Sequence, residues 1–183
     1  LERTETSELA PGLTLRALGK HERRPEFEFN FGLGVVPWHR LHSLLAQHGL
    51  GHWWPKASGR QILRGFMKGY VDLVFAWNGR FHVLDYKTNW LGRRVTDYQD
   101  AALDQAMADQ HYGVQALIYT VALHRYLGHR IDSYDPDVHL GEAWYLFVRG
   151  VGLAGGAGIW RRSFPRSLIE GLDALFASSE DMP

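Results

Sequence analysis

The sequence predicts an α/β protein built on a mixed sheet that contains an antiparallel hairpin and is flanked by helices. Two observations lead there. Two β-rich runs, residues 66–77 and 80–86, are separated by Asn78-Gly79, the strongest short hairpin signal because a type I′ turn needs positive φ at both central positions. Beyond Gly92 the apolar spacing becomes helical, and strands mixed with helices call for a layered sandwich. With 183 residues, 45% of them hydrophobic, and 7 Trp, 8 Tyr and 9 Phe, the chain suits a single domain with one sizeable core, about residues 26–177.

The elements follow in order. The first twenty or so residues, with Pro11 and Gly12, read as a lead-in to that core. Glu26-Phe27-Glu28-Phe29-Asn30-Phe31 alternates strictly, which is the period of a half-buried strand with its phenylalanines inward. Residues 38–48 are spaced as a short helix closed at Gly49, and Trp53, Trp54, Pro55 and Ser58-Gly59 read as a loop. After the hairpin, residues 96–110 and 112–127 are helical, the second stopping near Gly128. Residues 143–149 are expected as a buried strand, Gly155-Gly156-Ala157-Gly158 as a flexible connection, and residues 167–176 as a closing amphipathic helix.

Composition narrows the function classes. Zero Cys excludes disulfides and thiolate metal sites, so a metal would be held by carboxylate, imidazole, carbonyl or water. A reducing, cytoplasmic setting fits. No apolar run approaches the roughly 20 residues of a membrane span, and the acidic, polar start is not signal-like, so no membrane partner is expected. Opening at Leu1 rather than Met fits a C-terminal fragment of something longer.

Charge is distributed in blocks. The 20 Lys+Arg balance 20 Asp+Glu, which by itself argues mildly against nucleic acid. Yet residues 60–94 hold seven bases and two acids, residues 95–142 two bases and eight acids, residues 143–166 four bases and no acid, and residues 167–183 four acids and no base. Such segregation is compatible with ordinary surface variation and also with a basic channel.

The hairpin register brings chemistry together. If Trp77 pairs with Arg80 across the turn, Asp72 faces Asp85, and facing residues share one side of the ribbon with Cβ atoms about 4.5–5.5 Å apart. Lys87 points to that side too, two residues on. Like charges facing each other are destabilising, so either one carboxylate is protonated or a cation lies between them. Paired carboxylates without Cys suit Mg²⁺ or Mn²⁺, and a neighbouring ammonium suits phosphodiester hydrolysis. The plain alternative is a surface ion pair between Asp85 and Lys87.

These residues resemble a known family. The stretch 65–75, Gly-Phe-Met-Lys-Gly-Tyr-Val-Asp-Leu-Val-Phe, and the stretch 84–92, Leu-Asp-Tyr-Lys-Thr-Asn-Trp-Leu-Gly, resemble the C-terminal nuclease domain of RecB, the beta subunit of exodeoxyribonuclease V in the RecBCD helicase-nuclease. Residues 112–127 and 143–150 extend the likeness. What the resemblance implies is the PD-(D/E)XK, restriction-endonuclease-like fold and a Mg²⁺-dependent DNA exonuclease (Mn²⁺ being the substitute) acting in double-strand break processing and recombinational repair. Carried over by position, Asp72 and Asp85 would ligate the metal together with the backbone carbonyl of Tyr86, Lys87 would be the catalytic lysine, and Gln115 and Tyr119 would be the polar pair on the helix beside the site. Glu26 or Glu28 would match the acid on the strand leading into the site; a solvated strand face explains them equally well. The implied partners are single DNA strands delivered by a helicase, RecC- and RecD-like subunits, and the helicase part of the same chain, where ATP would be hydrolysed.

One departure from the family pattern stands out. A further histidine ligand is expected on a helix well before the acidic strand, whereas the 25 residues preceding Glu26 contain only His21, in another context. His42 follows the strand and lacks the acid expected one turn on, so it is rejected as a replacement, leaving an incomplete metal shell and weak isolated activity as the expectation. His39 with His42 and His124 with His129 have no third ligand for zinc. Gly155 to Gly158 lack the Lys-Ser or Lys-Thr of a phosphate-binding loop, which argues against a phosphohydrolase for small substrates. Arg93, Arg94, Arg161, Arg162 and Arg166 are candidates for tracking a DNA backbone. The alternative reading is a nuclease-like binding module of a helicase complex with weak or no catalysis.

Overall fold

The protein is described from a computed structural model over residues 2–54 and 61–177. Pro55 and Ser58-Gly59 of the expected loop lie outside the described residues. In chain order the elements are α1 (Glu2–Thr6), β1 (Arg23–Pro37), α2 (Trp38–Gln47), β2 (Ile62–Trp77), β3 (Arg80–Lys87), α3 (Asp100–Asp109), α4 (Tyr112–Arg130), α5 (Pro136–His139), β4 (Leu140–Phe147), β5 (Ile159–Arg162) and α6 (Arg166–Ala177). The α/β class is as expected: the described strands form one mixed sheet in the order β1-β2-β3-β4-β5. Only the β3–β4 pair is parallel, and a parallel neighbour needs a crossover, which α3, α4 and α5 supply.

The turn behaves as its sequence requires. Asn78 has φ 50° and Gly79 φ 75°, the two positive values of a type I′ turn. Trp77 pairs with Arg80, and the ladder runs on through Phe75–His82 to Leu73–Leu84.

Two apolar layers cover the sheet. The front layer joins Phe27, Phe29, Val83, Tyr145 and Phe147 to Leu117, Leu123, Leu168 and Leu172 of the helices. α4 is apolar on most sides because it packs on the sheet and on both α3 and α6. The back layer joins Phe75, Leu84, Trp144 and Leu146 to Leu9, Leu13, Leu15 and Leu18. The lead-in residues therefore act as the cover of the back face, a role their sparse leucines did not reveal.

Several boundaries differ from the sequence expectation. β1 continues to Pro37, and β5 was not anticipated. Gln99, extended at φ −113° and ψ 159°, separates a short 3₁₀ turn at Val95–Tyr98 from α3. Gly128 does not stop α4, which runs to Arg130; a glycine inside a helix costs only about 1 kcal/mol against Ala, less than the packing of Leu123 and Leu127 supplies. The expected flexible connection at Gly155–Gly158 is a tight turn, its last residue bonded through N–H to Tyr98 O and through C=O to Phe147 N–H.

At the candidate acidic pair the regularity of the sheet is broken. Alternation should place Val71, Leu73 and Phe75 on one face, yet Val71 belongs to the front layer while Leu73 and Phe75 belong to the back. The inversion falls at Asp72. Across the β1–β2 ladder, Pro25 pairs with Leu73 and Phe27 with Val71, so Glu26 stands opposite Asp72. Its φ of 50° is left-handed, a conformation that costs an L-residue about 1–2 kcal/mol.

Two predictions concern this scaffold. A Cβ on Gly113 would lie 2.2 Å from the Trp53 ring, so Gly113→Ala is expected to destabilise by about 1–3 kcal/mol through overpacking, outweighing the roughly 1 kcal/mol better helix propensity of Ala; urea midpoints measure this. His82, stacked on Phe75, accepts at Nδ1 from the Glu142 N–H and the Trp144 indole and is pushed down to about 4, mainly by burial. The unfolded chain then takes up a proton near the ordinary histidine value while the native state does not. Stability present above about pH 6.5 is expected to fall as pH drops toward 4, by an amount on the order of 3 kcal/mol. An NMR titration giving His82 a midpoint near 6.5 would contradict this.

Candidate active site

The site forms where β2 parts from β3. The ladder stops at Leu73–Leu84, and at the next position the Asp72 side chain enters between the strands, its Oδ2 accepting the backbone N–H of Tyr86 at 2.8 Å. In the register set by the turn, Tyr86 would have exchanged both of its backbone bonds with Val71. Since the N–H and C=O of such a residue point to the same neighbour, the Tyr86 carbonyl is directed toward the Asp72 side as well.

Asp85 lies on the front face and is 5% exposed. Burial raises its carboxyl above the ordinary carboxylate range, the hydrogen bond and charge of Lys87 oppose that, and the charge of Asp72 adds to it. Lys87, also buried, places Nζ 2.6 Å from Asp85 Oδ2. A pair so enclosed depends on both members, because removing one leaves an uncompensated charge at a cost of about 3–5 kcal/mol. The plain alternative of an exposed surface bridge is thereby corrected: the pair is internal.

The ammonium is held from several sides. Lys87 Nζ donates to Gln115 Oε1 at 2.8 Å, and it lies 3.8 Å from the Tyr112 ring centroid and 5.2 Å from that of Tyr145, each a favourable cation–π position. Gln115 Oε1 also accepts from Tyr145 OH at 3.2 Å, and Gln115 Nε2 donates to Tyr119 OH at 2.8 Å. These partners assign the amide orientation. Burial, reinforced by the charges of Asp85 and Asp72, pushes the Tyr119 hydroxyl up to about 12, so it stays protonated at neutral pH and retains an O–H to donate.

The structure thus brings Asp72, Asp85, the Tyr86 carbonyl, Lys87, Gln115 and Tyr119 to one place. Gln115 and Tyr119 share a face of α4 because they are four apart. Tyr112 and Tyr145 were missed by sequence reasoning. Tyr112 was detectable, three residues before Gln115 on the same helix; Tyr145 was not, since it arrives only through the parallel β3–β4 ladder, in which it pairs with Asp85.

Other candidates lie elsewhere. Glu28 is exposed and ion-paired with Lys68 at 2.7 Å, alternating with the inward Phe27 and Phe29. Glu26 is exposed opposite Asp72. Among the described residues no group of three His, Cys, Asp or Glu could hold a metal ion; His21, His39, His42, His124 and His129 build no such site, and His124 Nδ1 instead meets Tyr134 OH at 2.9 Å. The arginines proposed to track DNA are largely engaged: Arg94 with Asp97, Arg161 with Glu142, and Arg166 with Asp135, Asp137 and Glu170. Within the basic block 143–166, Arg161 and Arg166 pair with acids, Arg149 donates to the Thr88 carbonyl and Arg162 lies over the Trp53 ring, while Arg93 is exposed. No helix among the described residues is long and apolar enough to cross a membrane.

No protein-family model matches the sequence. The chain is 37% identical over 201 aligned residues to the RecBCD enzyme subunit RecB of Mycolicibacterium smegmatis, covering 94% of this chain and 19% of that protein. It is 40% identical over 142 residues to RecB of Escherichia coli, covering 76% of this chain and 12% of the relative. With RecB of Mycobacterium tuberculosis it shares 39% identity over 161 residues, 78% of this chain and 15% of the relative. The chain spans less than a fifth of the length of these curated relatives. Identity at this level, sustained over most of the sequence in several relatives, means that the chain is homologous to a part of the RecB subunit.

Proposed function

We propose that this chain is a metal-dependent deoxyribonuclease domain with the PD-(D/E)XK core, cutting DNA phosphodiesters as an exonuclease during helicase-coupled double-strand break processing and recombinational repair. The observation that carries the reading is the meeting of Asp72, Asp85 and Lys87 at the point where β2 leaves β3. RecB relatives are named as subunits of the RecBCD enzyme, which supports RecC- and RecD-like partners and a helicase elsewhere in the complete subunit. ATP would be used there, and the setting would be cytoplasmic.

The donor set fits Mg²⁺, with Mn²⁺ as a substitute. Two carboxylates and a backbone carbonyl are hard oxygen donors too few for a closed protein cage, and Mg²⁺ keeps several waters while using one or two carboxylates as anchors. A cation between Asp72 and Asp85 also offsets the repulsion that raises the Asp85 carboxyl. When bound, it supplies Lewis-acid activation and neutralises charge on the phosphoryl group.

The chain's own residues do the rest. Asp72 and Asp85 would hold the ion, and the bond from the Tyr86 N–H keeps the Asp72 carboxylate in place. Lys87 donates toward the phosphoryl oxygen or the attacking water and stabilises negative charge as it grows. Gln115, Tyr112 and Tyr145 keep that ammonium from swinging into solvent. Tyr119 offers its proton as a hydrogen-bond donor at the edge of the site.

The expected result with linear single- and double-stranded DNA is cutting in Mg²⁺ or Mn²⁺ and none in EDTA. Asp72→Ala, Asp85→Ala and Lys87→Ala should each lower the rate by about 10²–10⁴-fold, and calorimetric Mn²⁺ binding should vanish in Asp85→Ala and persist in His42→Ala. A folded protein that cuts neither DNA at high concentration in either metal would favour a binding module. Gln115→Ala should lower kcat more than it raises KM, because it positions Lys87 without bearing charge itself.

A further inference from the structure

An open groove of about 470 Å³ runs beside the acidic cluster, between the β1–β2 ribbon and α4. Phe29 and Met67 line it from the sheet, Val114 and Ile118 from the helix, and Trp38 and Trp54 complete the wall. The two indoles lie 4.9 Å apart at 60°. Gln115 and Tyr119 line the same groove, and these are the residues that hold Lys87 through a continuous hydrogen-bond chain. The groove is therefore continuous with the candidate catalytic cluster.

Its chemistry selects the occupant. The lining is mostly apolar and aromatic, and the ammonium of Lys68, which also borders it, is engaged by Glu28. Phosphates gain little there, whereas a flat ring with an apolar face and polar edge gains dispersion and stacking. A DNA strand whose phosphate sits at Asp72, Asp85 and Lys87 necessarily carries a base beside it. A base still paired and stacked in a duplex cannot enter such a groove, which suits the single strand that the nuclease reading already implies.

We propose that this groove is a base-binding subsite for single-stranded DNA, with Trp38 as its stacking platform beside the reacting phosphate. The inference rests on the nuclease reading for its orientation but is tested without catalysis. Binding of a short thymidine oligonucleotide is measured in EDTA by quenching of tryptophan fluorescence and, for the variants, by anisotropy of a labelled strand. Trp38→Ala is expected to weaken binding about 5- to 150-fold, the range for loss of one stacked base, and Trp38→Phe to restore most of it. An oligonucleotide with an abasic position should show a comparable loss on the unaltered protein and little further loss on Trp38→Ala. Phe66, 84% exposed on β2 and absent from the groove, serves as the control, and Phe66→Ala should bind normally. Unchanged affinity in a folded Trp38→Ala protein would overturn the proposal, as would a loss confined to Phe66→Ala. Trp38-dependent binding without metal-dependent cutting would sink the nuclease reading alone, whereas cutting with no Trp38 effect on binding would sink the subsite alone.

Discussion

Two carboxylates on adjacent strands repel one another, and one of them is buried; much of the architecture around the site can be understood as the means of holding them there. Asp85 is shielded by the front layer, and the hydrogen bond and charge of Lys87 oppose the rise that burial gives its carboxyl. Lys87 in turn requires Gln115, Tyr112 and Tyr145 to occupy its remaining faces. Asp72 avoids the closest approach to its counterpart by turning into the gap between the strands and taking the Tyr86 N–H. The result is a polar cluster within an apolar wall, in which each of these groups has a partner.

The break in the sheet follows from the same constraint. A regular ladder would have satisfied Tyr86 with Val71 and left Asp72 simply projecting. Instead the face inverts at Asp72 and Glu26 takes a left-handed conformation across the ladder. Backbone strain of this kind persists only where the surroundings over-determine it. Here those surroundings are the phenylalanines of β1, of which Phe27 and Phe29 pack edge-on against Tyr126 and Tyr119 of α4. The aromatic packing that closes the front core and the helix that supplies Gln115 and Tyr119 are thus parts of one arrangement.

Sequence reasoning reached as far as local periodicity and turn chemistry could carry it. Asn78-Gly79 fixed the hairpin register as far as Leu73–Leu84 and the shared face of Asp85 and Lys87, because strand side chains repeat every second residue, but at Asp72 the ladder stops and the side chain turns between the strands. The i, i+4 spacing set Gln115 beside Tyr119. What lay beyond reach was non-local. Tyr145 comes from a strand joined to β3 by a long crossover. The leucines before residue 20 became a cover only when Trp144 and Leu146 were there to receive them. Charge pairing was non-local too, since Arg161 and Arg166 lie far in sequence from Glu142 and Asp135 but adjacent to them in space.

The amino-acid sequence by itself determined the hairpin, the helices α2, α4 and α6, and the face that Asp85 and Lys87 share. Each of these rests on interactions within a few residues or across a two-residue turn. Only the tertiary structure decided that the Asp85–Lys87 pair is internal, that Asp72 bonds the Tyr86 backbone, that two tyrosines enclose the ammonium, and that an aromatic groove opens beside them. Burial and side-chain encounter depend on which surfaces the helices cover, and this is settled by packing between elements far apart along the chain.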